Sequence, residues 1–213
     1  MRHPALALLE FDSVAAGIRA ADAMVKRAPI ALLKAGTIHP GHYLVLIGGS
    51  VGSVSEAFET GRAVEHELLL DQVLLPDVHA EVYDAALGAT RAPADEALGV
   101  LETAGVAALL EAADAAVKGT PVHIAELRMG DGLGGRAFVL FDGTVADVEV
   151  ALEIGTARVA AERIRHRTVM GRLDGSVRQA LASGTRFARC TLQVPDGAEP
   201  DGGENADRVW KEE

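Results

Sequence analysis

Apolar and polar positions switch between two periods along the first part of the chain. ALALLEF, from Ala5, is an apolar strand, and SVAAGIRAADAMVKRA carries its apolar residues at helical spacing. PIALLKA and HYLVLIGG read as a second and a third strand, and VGSVSEAFETGRAVEHE as a second helix. LLLDQVLLP then predicts a fourth strand and DVHAEVYDAAL a short helix. Pro29 falls where the first helix must already have ended, because proline has no amide hydrogen to give to the helical ladder.

The same pattern then returns. ALALLEFDSVAAGIRAADAMVKRAP, from Ala5, aligns without gaps on ALGVLETAGVAALLEAADAAVKGTP, from Ala97, with 14 of 25 positions identical. Shared alanine alone would not place Glu10 on Glu102, Asp22 on Asp114, Lys26 on Lys118 and Pro29 on Pro121. Further on, Gly41 aligns with Gly135, Gly49 with Gly143 and Gly61 with Gly155; the offset has grown from 92 to 94, so the second copy has a longer intervening loop. RTVMGRL and GSVRQALASG close the second copy as a strand and a helix, with RFARCTLQV as a further candidate strand. GATRAPADE is the linker. The expected division is 1–92, 93–194 and an acidic, disordered tail over 195–213, which has little to bury apart from Trp210.

Composition then removes whole classes of function. A net charge of -11 argues against a protein that binds nucleic acid by neutralising phosphates. One cysteine, Cys190, excludes an intramolecular disulfide and any Cys-rich metal site within one chain. The first apolar run is too short for a signal-peptide core and meets Glu10 and Asp12, and no later segment reaches membrane-spanning length. The expectation is a soluble protein of a reducing cytoplasm, with neither nucleic acid nor membrane as partner.

ALALLE with AADAMVK, and ALGVLE with AADAAVK, resemble the bacterial microcompartment shell domain, as do the glycine-containing loops TIHPGH and GDGLGG and the strand ends IGGSVGSV and FDGTVADV. The resemblance covers about residues 5–185, in unpermuted order. It implies an α/β fold of α+β, ferredoxin-like type, in two tandem copies that form a pseudohexameric trimer. It also implies a non-enzymatic tile of a shell in the bacterial cytoplasm, with a central pore for metabolites. Implied partners are two further copies of the chain, hexameric tiles and pentameric vertices of the same shell, and encapsulated enzymes; no cofactor is implied. A closed head-to-tail ring gives this symmetry a physical reason, since alternating similar domains make six near-equivalent wedges. The alternative from another class is a trimeric regulator of ferredoxin-like build that binds a small molecule between subunits.

By the same resemblance the pore is lined by Ile38, His39, Pro40 and Gly41 from the first copy and Gly132, Leu133, Gly134 and Gly135 from the second. Glycines there let backbone approach a solute closely, and His39 would make pore charge titrate near neutral pH. Asp22, Lys26, Asp114 and Lys118 are implied tile-edge residues; on spacing alone they are ordinary i,i+4 pairs worth a few tenths of a kcal/mol. The family's Pro-Arg-Pro-His edge motif survives only as Pro76 and His79, and Arg172 is a weak substitute for its arginine. GDGLGG lies between strands and lacks a following Lys-Ser/Thr, so it is no phosphate loop. Glu10 and Glu102 read as structural carboxylates, and no nucleophile, base or metal set converges.

Overall fold

The computed structural model describes residues 2–195. Its first half is β1 (Ala5–Phe11), α1 (Val14–Arg27), β2 (Leu32–Ile38), β3 (His42–Gly49), α2 (Val51–Val64), β4 (Leu69–Leu75) and α3 (Ala80–Ala86). The second half repeats it with β5 (Ala97–Thr103), α4 (Val106–Gly119), β6 (His123–Met129), β7 (Ala137–Gly143), α5 (Val145–Ala157), β8 (Ile164–Gly171) and α6 (Gly175–Ala182). The two antiparallel sheets have the same order, β2-β3-β1-β4 and β6-β7-β5-β8.

Local chemistry starts the helices where the pattern placed them. Ser13 caps α1 by accepting from the Ala16 amide, Ser50 caps α2 and Thr144 caps α5 in the same way. Two boundaries depart from the pattern, one falling later and one earlier. β2 begins at Leu32 because the chain leaving α1 first turns through Ile30, whose amide donates to Ala28 O, and pairing starts only at Leu32 with Gly48. α2 ends at Val64, since a 3-10 turn over His66–Leu68 takes the residues assigned to its last turn. RFARCTLQV forms no strand: it is a 3-10 turn over Phe187–Arg189 followed by irregular chain, held by side chains rather than by a ladder. Trp210 and the tail from 196 onward lie outside the described residues.

Each sheet has one face against its two long helices. Ala5, Ala7, Leu9, Val45 and Ile47 meet α1 and α2 in the first half. The helices approach closely at the paired glycines: a Cβ on Gly61 would lie 2.5 Å from Met24 Sδ, and one on Gly155 3.0 Å from Ala112 O. The other face of the first sheet, with Leu6, Leu8, Leu44 and Leu46, packs under α3, and this core runs on without a break into α4, β6 and the rest of the second half. Short α3 thus joins the two halves; Val82 on it is fully buried.

Candidate pore loops and domain junction

One loop from each half meets the other at the junction. His39–Gly41 connects β2 to β3, closed by the Gly41 amide donating to Ile38 O at 2.9 Å, with Gly41 at φ +128°. Gly130–Arg136 connects β6 to β7 and is held by amides of Gly130, Leu133 and Arg136 donating to Arg136, Gly130 and Leu133 carbonyls. The loops touch, since a Cβ on Gly135 would lie 3.6 Å from Pro40 Cδ and one on Gly130 2.5 Å from Ile38 Cδ1.

The expected pore residues therefore divide. His39, Pro40, Gly41, Gly132 and Gly134 are exposed and Leu133 is half-buried. Ile38 departs from the expectation: it ends β2 with its side chain buried against Gly130, inside the junction rather than on the loop surface. Gly135 is likewise buried beneath the first loop.

The expected edge residues also divide. Asp22 and Lys26 pair at 2.6 Å with both side chains exposed. Asp114 and Lys118 pair at the same distance, yet Asp114 is buried, because the turn before α3 sits on it: the His79 amide donates to Asp114 at 2.8 Å and Lys118 Nζ donates to Asp77 O. So His79, Asp114 and Lys118 come together between the two halves, and Asp22 and Lys26 stand apart from them.

Sequence reasoning missed most of what seals this junction. Glu81 accepts from the Ile124 amide and pairs with His123, each at 2.8 Å, and Asp71 pairs with Arg163 at 3.0 Å. Buried Asp142 gathers the linker through the Ala94 and Asp95 amides and Arg91. Glu10 pairs with His42 Nδ1 at 2.7 Å. Burial raises the Glu10 carboxyl above its ordinary value, with His42 opposing and Asp71 reinforcing. Burial also penalises Glu81, but the bonds from His123 and Ile124 outweigh it and hold this carboxyl below its ordinary value. The available signal was divergence between the copies: Ser176 stands opposite Glu81, Ala31 opposite His123 and Arg136 opposite His42.

The two halves differ most in what covers the first helix. On α1 and β2, Val14, Ile18, Val25 and Leu33 are 39, 53, 48 and 46% exposed. Their repeat partners Val106, Leu110, Val117 and Ala125 are 0, 0, 6 and 1% exposed, because α3 and β4 lie against α4 and β6. The covering element shows the converse, with Val82 on α3 buried and its partner Val177 on α6 46% exposed.

A BMC domain model matches residues 5–78 and again 97–173. The bacterial microcompartment shell protein PduT of Citrobacter freundii is 35% identical over 181 residues, 84% of this chain and 98% of its own length. The carboxysome assembly protein CcmO of a Synechocystis species is 30% identical over 176 residues, 75% of this chain and 57% of that protein. A crystal structure of a microcompartment protein from Desulfitobacterium hafniense DCB superimposes with a TM-score of 0.73 at 38% identity, covering 80% of this chain and 96% of that one.

Proposed function

We propose, from the premise that the chain belongs to the BMC domain family and is a tandem-domain shell protein of a bacterial microcompartment, that three copies close into a ring of six domains around a central pore. The matched faces support this reading. Inside one chain, α3 of the first domain covers α4 of the second; α6 and α1 carry the same surfaces, exposed and apolar, for the same contact between copies. A head-to-tail contact of this kind must close into a ring or run on as a filament.

The internal junction also assigns roles at the contact between copies. By the repeat, Asp22 takes the Asp174 amide of the next copy as Asp114 takes that of His79, and Lys26 reaches Arg172 O as Lys118 reaches Asp77 O. Lys26 and Lys118 would then present six near-equivalent positions along the tile edge. His39, Pro40, Gly41, Gly132, Leu133 and Gly134 would ring the pore, with Ile38 and Gly135 bracing the loops from behind. The division into 1–92, 93–194 and a tail over 195–213 follows the repeat. Shell proteins of this family assemble with other shell components; hexameric tiles, pentameric vertices and encapsulated enzymes are the proposed partners here, in the cytoplasm of a bacterium. None of the relatives named above supports the regulatory alternative.

Solution mass tests the ring. The full chain is expected at three times 22.2 kDa, and Ile18→Asp with Val25→Asp is expected to give a folded monomer of unchanged helix content. A monomeric wild type, or a mass unchanged by these substitutions, would refute the reading.

A further inference from the structure

Between β2, α3 and β6 lies a cavity of about 270 Å³, on the face of the first sheet away from α1 and α2. Leu8, Leu44 and Leu46 line it, with Ala86 from α3. Its rim carries three cations, Lys34, Arg128 and Arg186, against one carboxylate, Asp131. That carboxylate is already matched by Arg186 at 2.6 Å. Arg128 gives its Nη atoms to Thr185 Oγ1 and Asp131 O, leaving Nε buried without a partner among the described residues. Lys34 makes no ion pair among the described residues, so the rim holds a net positive charge in a chain of net charge -11.

The second domain differs at this place. Gly36 faces Leu44 across the first ladder, and Arg128 faces Phe138 at the same place in the second. There the guanidinium lies 5.6 Å from the Phe138 ring centroid, and Leu181 of α6 stands where α3 has Ala86. Arg128 and Leu181 thus stand over the apolar floor of the second domain where the first has Gly36 and Ala86, and the hollow beside them, at Glu126 and Ser183, is polar. Glu126 in place of Lys34 also reverses the charge at the equivalent rim position.

We propose that this cavity is a binding site for a small organic anion, a carboxylate with a short aliphatic body: the apolar floor takes the body and the Lys34 and Arg128 cations take the charge. The site lies within one chain and does not depend on ring closure. Ile38 and Met129, which lead into the two pore-loop candidates, line it, so an occupant touches the roots of both loops.

Titration calorimetry of the full chain with hexanoate, and with hexanol as the neutral control, tests this. Hexanoate is expected to saturate one site per chain, and hexanol to bind at least about tenfold more weakly, the worth of one charge-assisted contact. Gly36→Arg copies the second domain, and an added Cβ at Gly36 meets nothing within 4 Å, so this substitution fills the cavity without backbone strain. It is expected to abolish hexanoate binding with an unchanged melting temperature, and Lys34→Glu to weaken binding about tenfold. Ala86→Leu closes the cavity from the opposite wall and serves if Gly36→Arg fails to fold. Absence of saturable heat, equal binding of hexanol, or full affinity in the cavity-filling variants would each overturn the proposal.

Discussion

Helices α1 and α4 start from nearly one sequence and end in opposite surroundings. AADAMVK and AADAAVK differ at one position, yet Asp22 is open to solvent and Asp114 is buried under the turn before α3. Ile18 is half-exposed where Leu110 is fully covered. Exposed apolar residues scattered singly mean little, but a set whose repeat partners are all buried by one neighbouring domain fits the face that the proposed ring would cover. Under the proposed ring, duplication supplies within one molecule a picture of the contact between copies.

Changes that treat the two faces alike should expose the difference. Leu110→Asp buries an unpaired charge in the continuous core and is expected to cost about 3–5 kcal/mol, read as a large drop in denaturant midpoint, while Ile18→Asp leaves the fold of the single chain nearly unchanged. Equal melting of the two variants would mean that α4 is not covered within one chain. Next in size is Asp114→Ala, which leaves the His79 amide without its acceptor and Lys118 without its counter-charge; about 1–3 kcal/mol should be lost in chemical denaturation. Asp22→Ala should cost under about 1 kcal/mol in the dissociated chain, as for any exposed pair. Similar losses at both positions would erase the asymmetry.

The smallest effect is on the pH dependence, and its two contributions have opposite sign. The folded-state value of Glu10 is raised, so its contribution is fully present below the ordinary value of 4.5 and is lost as pH rises through the raised value. That of Glu81 is lowered, so its contribution is present above 4.5 and lost as pH falls through the lowered value. Glu10→Gln should flatten the stability profile above pH 4.5 and Glu81→Gln below it, as measured by denaturation across that range. A flattening on the same side for both would contradict the environments described for these carboxylates.

Much of the architecture was legible because it rests on local chemistry. Period changes placed the eight strands and six helices of the described residues, Pro29 and its partner Pro121 marked where the first helices had ended, and the repeat announced two similar units. The recurrence of glycine at 61 and 155 was visible as well, although its reason, helices too close for a Cβ, was not. Boundaries were least legible where two local signals compete, as at Ile30 before β2 and at His66 after α2. RFARCTLQV read as a strand because its composition suits one, but a strand also needs an edge to pair with, and Thr185 and Arg186 are instead held through the Glu126 and Asp131 side chains.

The site was legible only in part. The loops were expected from the family resemblance and the Asp-Lys pairs from repetition as well, but the sequence presents the two pairs as equivalents. Which one is buried, that Ile38 turns inward onto Gly130, and that Glu81 reaches His123 across 42 positions depend on how one half is set against the other. By itself the sequence determined the two repeated units, their element order and the residues alike in both, because period, capping and proline act over a few neighbouring residues. Only the tertiary structure decided which copy of each surface is covered and which cavity stays open, because burial depends on the neighbour that packs against a residue, and identical residues in the two halves have different neighbours.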